Sequence, residues 1–377
     1  METTFVLFGY GDVGKNKFTP ALMHYLQLIK RKEKMFPLLA NIDILNYLIV
    51  DVDESKRKEI TYLQEKARRE EIPIEVKFFN FNSPKDREEF SSLLAEHRVS
   101  LAYIASPNKT HAKYIDLLVD KSELILVEKP LVDHKHEIES IIRKHGTKKL
   151  AKVRLIDHYL FKDVTMVYLR ELGTFLGRIG GIEEVEFFLL EPNPIRESRK
   201  WLYGSGMIRD LGSHFFSIVL KHYELGVNEF DPNKFKITDV KKAVYDRSYI
   251  PEDIKNPKET FAIIELEIDG IKGKVSVGKG LDITRKQFIL RGSGASLIID
   301  FARNEITLRI SNRIEKVYQK DVFRYHEYHN ILYGILNLDN KIGLSFDMAV
   351  KEVELFEETD KFAISKTYRI GEIPFNA

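Results

Sequence analysis

Residues Gly9-Tyr-Gly-Asp-Val-Gly limit what this chain can become, because they stand directly behind Phe5-Val-Leu-Phe, an apolar run that reads as a buried strand. The G-x-G-x-x-G spacing predicts a strand, a tight turn and a helix that together hold a dinucleotide. Gly9 would permit the turn, Gly11 would let the backbone approach a pyrophosphate, and Gly14 would let helix and strand pack closely. Together with Asp12 and Val13 these residues form a loop whose amides would face the phosphates at the helix start. The stretch 21–29, Ala-Leu-Met-His-Tyr-Leu-Gln-Leu-Ile, has the apolar spacing of that helix.

A second strand follows at 47–53 and carries Asp51 near its end, where a carboxylate would accept hydrogen bonds from ribose hydroxyls and repel a 2′-phosphate. This favours NAD over NADP. Lys56 and Arg57 leave NADP open, since a basic pair could clamp the extra phosphate or simply begin a solvated helix. Strands at 75–81, 99–105 and 124–130 alternate with helical stretches, which predicts a doubly wound parallel sheet. Ser106 and Pro107 open a loop on the nicotinamide side. Glu128 and Lys129 end the next strand, and a lysine there can hydrogen-bond a substrate hydroxyl and favour its oxyanion character.

A further strand-like run, 150–156, leads into Asp157, His158, Tyr159 and Lys162. These are either a hydrogen-bonded strand end or a ligand site. We expect a dinucleotide-binding domain over 1–155 and an α+β domain with a largely antiparallel sheet over 156–377. In the second domain, a helix after Gly204-Ser-Gly carries Asp210 and His214, four residues apart and on one face. Alternation over 261–277 predicts a hairpin, and short strands at 287–290, 295–299 and 306–310 predict a sheet with helices on one face. Helices are expected from Tyr325 to Leu338 and from Phe346 to Ile364.

The 59 basic and 57 acidic residues leave a net charge of +2, which gives no bias towards nucleic acid or membrane. There is no cysteine, so disulfides, thiolate nucleophiles and cysteine-based metal sites are excluded. A reducing, cytoplasmic setting is expected, with no signal peptide and no membrane span. His326 and His329 lack the carboxylate spacing of a metal site, and no metal is expected.

Glu128-Lys129-Pro130, standing after Ala105-Ser-Pro-Asn-Lys-Thr-His, resembles the glucose-fructose oxidoreductase and inositol dehydrogenase (Gfo/Idh/MocA) family of sugar dehydrogenases. Six further segments resemble glucose-6-phosphate dehydrogenases in order: 8–22, Ile156-Asp-His-Tyr-Leu-Phe-Lys, Glu191-Pro, Met207-Ile-Arg-Asp-Leu-Gly-Ser-His, Glu259-Thr-Phe-Ala and Val277-Gly-Lys. The resemblance implies that His214 takes the hydroxyl proton while Asp157 orients and charge-stabilises its imidazole. It implies that His158, Tyr159 and Lys162 hold a 6-phosphate, and that Lys129, Glu191, Asp210 and Lys279 bond sugar hydroxyls. The function so implied is oxidation of a hexose phosphate, glucose 6-phosphate to its lactone, by hydride transfer to NAD or NADP. A homodimer or homotetramer is expected, with a partner subunit covering the open face of the second sheet. Three departures widen the choice of substrate, the first being that the glycine loop has the G-x-G-x-x-G form of the broader family. The Asp210–His214 spacing is that of the inositol dehydrogenase branch, and Phe161 replaces the glycine before the phosphate lysine. An unphosphorylated sugar or inositol, oxidation at C3, and a non-catalytic sugar-sensing regulator are the alternatives.

Overall fold

The computed structural model describes residues 3–362 apart from 41–42, 201, 228–229, 245–249, 251, 312, 321–325 and 340; Tyr325 and residues 363–364 of the expected terminal helices therefore lie outside the described residues. The chain divides into two compact units, Met1–Phe161 with Tyr325–Val350, and Lys162–Arg324 with Lys351–Ala377. Residues 325–350, expected with the second domain, thus count with the first.

The first unit contains β1 (Thr3–Phe8), α1 (Thr19–Lys30), β2 (Leu45–Asp51), α2 (Lys56–Arg69), β3 (Ile74–Asn80), α3 (Pro84–Glu96), β4 (Val99–Ile104) and α4 (His111–Leu118). β5 (Ser122–Glu128), α5 (Lys135–His145), the single turn α6 (Thr147–Leu150) and β6 (Val153–Ile156) complete the alternation. The parallel strands run in the order β6-β5-β4-β1-β2-β3. β1 is buried along its whole length, as expected of a strand covered on both faces. The fold is the doubly wound one expected.

Local signals set the helix boundaries. Ser83 caps α3 by accepting the Asp86 amide, and Pro84 sits at the first helical position, where no amide hydrogen is needed. Gly146, at φ 75°, follows the last residue of α5.

The second unit begins with α7 (Asp163–Arg170) and α8 (Leu172–Ile179), followed by β7 (Glu184–Glu191), the single turn α9 (Leu202–Ser205) and α10 (Ser213–Glu224). Then come β8 (Phe235–Ala243), β9 (Phe261–Ile268), β10 (Ile271–Lys279), β11 (Arg285–Arg291), β12 (Ala295–Asp300), β13 (Glu305–Ile310) and β14 (Arg313–Gln319). The order is β14-β13-β12-β11-β7-β10-β9-β8. β7 and β10 run parallel, and the other pairings in this sheet are antiparallel. The expected hairpin over 261–277 is β9–β10.

Alternation divides the two faces of this sheet. Phe187 packs against Phe215 of α10 with ring centroids 5.9 Å apart. On the opposite face Phe188, Leu190, Ala243, Phe261, Leu281 and Ile289 form a buried cluster. Arg285 lies 3.4 Å over the Phe188 ring, and Arg291 pairs with Glu184 and Glu186.

α11 (His326–Leu336) and β15 (Leu344–Ser345) return the chain to the first unit, where β15 pairs antiparallel with β6. α12 (Phe346–Asp360) starts in the first unit and ends in the second. No helix among the described residues is long and apolar enough to cross a membrane.

Candidate active site

The glycine loop explains itself residue by residue. A Cβ on Gly9, whose φ is +94°, would lie 2.7 Å from the Ala105 carbonyl oxygen, and one on Gly14 would lie 2.4 Å from the Gly9 carbonyl oxygen. Both positions must therefore stay glycine for the strands and the helix start to approach. Gly11 is different: a Cβ there meets nothing within 4 Å. The fold does not require this glycine, and the open space beside its backbone is what a pyrophosphate would occupy. The turn Gly14–Phe18 then leads into α1.

Asp51 ends β2 and ties strand to loop. One carboxylate oxygen accepts the Tyr10 amide at 2.6 Å, and the other accepts the Val52 and Asp53 amides at 2.7 and 3.0 Å. An oxygen that accepts one hydrogen bond keeps a lone pair for a ribose hydroxyl. Lys56 faces Asp53 and Glu59 at 3.8 and 3.9 Å, while Arg57 pairs with Glu54 at 2.5 Å and Asp86 at 2.8 Å.

Two strands away in the sheet, beyond the end of β4, Ser106 Oγ and Thr110 Oγ1 share a hydrogen bond of 2.7 Å, and Thr110 also donates to the Pro107 carbonyl. His111 is fully buried behind them. Its Nε2 lies 2.8 Å from the Ser106 carbonyl, and its Nδ1 lies 3.0 Å from the Pro130 carbonyl. The ring therefore bridges the Ser106-Pro107 loop to the Lys129-Pro130 peptide, which is cis. Burial lowers its pKa, against carbonyl contacts that favour the charged form. Glu128 accepts hydrogen bonds from the Tyr103 hydroxyl and, at 3.1 Å, from the Tyr328 hydroxyl of α11. Burial pushes the Glu128 carboxyl up, opposed by those hydroxyls and by the charges of Lys17 and Lys129.

Asp157 is fully buried at the end of β6, and its carboxylate accepts the Tyr159 amide at 2.8 Å. It opens the short turn His158–Phe161, in which the His158 and Tyr159 rings meet edge to face at 5.0 Å. Asn330 of α11 donates to the Phe161 carbonyl at 2.8 Å.

In the second unit, Glu191 and Lys279 occupy the C-terminal ends of β7 and β10 and face each other in register. Lys279 Nζ lies 3.5 Å from Glu191 and 3.4 Å from Asp210, and Lys286 Nζ lies 2.5 Å from Glu191. Burial raises the Glu191 pKa, but the Lys286 hydrogen bond and the charges of Lys279 and Lys286 outweigh it and hold the carboxyl below its usual range. Asp210 lies in a widened π-turn, Ile208–Gly212, and His214, 2 % exposed, follows in α10. The expectation of an ordinary helical turn between them is thus replaced by a wider one, a form that recurs at functional sites. Lys162 immediately precedes α7.

The structure therefore brings Glu191, Asp210 and Lys279 into one ion network, and it seats Asp157, His158 and Tyr159 in one turn of the first unit. Sequence reasoning missed Lys286, His111 and the two tyrosines on Glu128. Lys286 had a readable signal: alternation puts it on the same face as Phe288 and Leu290, where a charge is out of place. The tyrosines had none, because their meeting point depends on a helix that returns from the far end of the chain.

Residues 45–153 match a family model described as an oxidoreductase family, NAD-binding Rossmann fold, that of Gfo/Idh/MocA. No curated protein matches the sequence. Among solved structures, a glucose-6-phosphate 1-dehydrogenase from Mycobacterium avium is similar at 16 % identity, TM-score 0.69, covering 98 % of this chain and 94 % of that one. A levoglucosan dehydrogenase in complex with NADH and levoglucosan is similar at 16 % identity, TM-score 0.67, covering 96 % and 98 %. A 3-ketoreductase from Actinomadura kijaniata, in complex with TDP-benzene and NADP, is similar at 14 % identity, TM-score 0.65, covering 98 % and 99 %. At these identities the structural likeness establishes the fold.

Proposed function

We propose that this chain, an NAD-binding oxidoreductase of the Gfo/Idh/MocA family, oxidises a hexose 6-phosphate, most simply glucose 6-phosphate at C1 to the lactone. The observation that carries the reading is the Glu191–Lys279–Asp210 network beside the helix of His214. Carboxylates and an ammonium held together in this way are suited to hydroxyl-rich ligands, because each can exchange an internal partner for a sugar hydroxyl.

Bound nicotinamide would accept the hydride from C1. His214 would take the hydroxyl proton, Asp157 would orient and charge-stabilise its imidazole, and Lys129 would bond the oxygen as its charge develops. His158, Tyr159 and Lys162 would hold the phosphate. Gly9, Gly11, Asp12, Val13 and Gly14 would line the pyrophosphate, with Ser106, Pro107 and Glu128 towards the nicotinamide. The engagement of Lys56 and Arg57 with carboxylates supports NAD, since neither is left to meet a 2′-phosphate alone. A homo-oligomer formed through the outer face of the second sheet remains part of this reading, and a monomer by light scattering at micromolar concentration would remove it.

A specific observation favours a second reading. Phe161 is buried in the turn that also holds His158 and Tyr159, and its carbonyl is bonded by Asn330. A pocket narrowed there would suit an unphosphorylated sugar. Cofactor reduction with NAD and NADP, offered glucose 6-phosphate, glucose and inositol in parallel, separates the two. Activity confined to the phosphorylated sugar supports the first, and turnover of glucose or inositol alone replaces it with the second.

A further inference from the structure

We infer that Glu259 is a positioning residue for His214: its carboxylate, buried between β9 and the π-turn, holds the start of the helix that carries the proposed base. This inference rests on the reading of His214 as that base.

Neither the π-turn nor α10 has a side-chain cap of its own. The first amides of a helix nevertheless need acceptors. Glu259, 5 % exposed, supplies one from outside: its Oε1 accepts the Ile208 amide at 3.1 Å, and its own carbonyl accepts the Met207 amide at 3.1 Å. Gly206 makes room for the carboxylate. With φ at +82°, a Cβ on it would lie 2.2 to 2.8 Å from the Glu259 carboxyl atoms.

The neighbouring residues extend the hold. Lys258 donates its amide to the Tyr203 carbonyl at 2.7 Å, and the Thr260 carbonyl accepts the Lys279 amide at 3.1 Å. The segment 258–260 thus fixes both the helix start and the strand end that bears the Lys279 ammonium. Burial raises the Glu259 pKa, opposed by the Ile208 hydrogen bond and by Lys242 and Lys258. Lys242 is itself buried, and Arg209, next to Asp210, pairs with Asp360 and lies over Phe356. A charge kept at this depth is costly unless partners and hydrogen bonds offset it. Of these groups, the Ile208 amide and Arg209 belong to the segment that carries Asp210 and His214.

The test compares Glu259→Leu, which removes the acceptor, with Glu259→Gln, which keeps an oxygen for the Ile208 amide. Two readouts are taken: the His214 resonance and its pH titration in histidine-labelled protein, and kcat with glucose 6-phosphate and NAD. We expect Glu259→Leu to move the His214 resonance and lower kcat about 100-fold, the scale of a catalytic group displaced by about an ångström, with the nucleotide Kd unchanged. Glu259→Gln should recover most of the loss. Should Glu259→Leu fail to fold, Gly206→Ala carries the same expectation, because its Cβ displaces the carboxylate. An unmoved His214 resonance in the folded variant overturns the inference, whether or not kcat or melting temperature falls. Normal turnover of His214→Asn would remove the base reading alone, and the resonance would still decide whether Glu259 holds the helix.

Discussion

The two sheets gather their reactive groups by different means. In the first, Asp51, Glu128 and Asp157 all stand at or just beyond the C-terminal ends of parallel strands, because parallel pairing brings those ends to one edge. The second sheet is mostly antiparallel, so neighbouring strand ends point opposite ways. Its one parallel pair, β7 and β10, restores the arrangement locally and sets Glu191 opposite Lys279. Lys286 enters from the start of an antiparallel strand. Parallel topology makes a site edge as a matter of course, whereas an antiparallel sheet needs an exception.

If the first unit serves the nucleotide and the second the proton, the two tasks separate by mutation. His214→Asn should lower kcat by about 10³-fold while nucleotide binding, followed by fluorescence titration, stays as in the wild type. Near-normal turnover would sink the assignment.

Acid should damage the second unit through His222, which is fully buried in α10 among Tyr168, Phe230 and Phe288. Neither ring nitrogen has a hydrogen-bond partner among the described residues. Burial pulls its pKa down to about 3 from the ordinary 6.5. Below pH 6.5 the unfolded chain therefore takes up a proton that the folded one refuses. The stability from this group is complete above that pH and is lost as pH falls towards 3, up to roughly 4 kcal/mol. Melting curves between pH 7 and pH 4 should show this slope, and His222→Phe should flatten it.

In the first unit, Gly9 and Gly11 should respond oppositely. Gly9→Ala, blocked by the Ala105 carbonyl and by its positive φ, should cost roughly 3 kcal/mol of folding stability. Gly11→Ala, with open space around it, should leave the melting temperature nearly unchanged yet weaken NAD binding. Equal loss of stability in both would contradict the division between structural and ligand-facing glycines.

The smallest effect is expected at Lys286. Its removal as Lys286→Met should cost about 1–2 kcal/mol at neutral pH by leaving Glu191 with fewer partners. In the wild type the depressed Glu191 pKa adds stability that is present above pH 4.5 and lost as pH falls below it. The variant should lose part of that acid-side slope, readable by chemical denaturation at pH 3.5 and pH 6.

Much of the first unit was legible because its signals are local. Strand, glycine turn and helix start lie within 3–30, and each alternating element has its own apolar period. The same holds for the β9–β10 hairpin and for the helix of His214. The domain boundary was not legible in the same way. The β6 run ends where expected, but the turn His158–Phe161 stays with the first unit, and residues 325–350 rejoin it through the β15–β6 pairing and the Tyr328–Glu128 bond. No local period announces a return over such a separation.

By itself, then, the sequence determined the dinucleotide loop, the strand ends that bear Asp51, Glu128 and Asp157, and the helix that carries His214. Each follows from backbone rules acting over a few residues. Only the tertiary structure decided that Lys279 meets Glu191 and Asp210, that Lys286 completes the network, that His111 ties two loops together, and that Glu259 caps a helix 51 residues away. Those contacts depend on strand order and register. Order and register are settled by how whole faces bury together, and no short stretch of the chain encodes them.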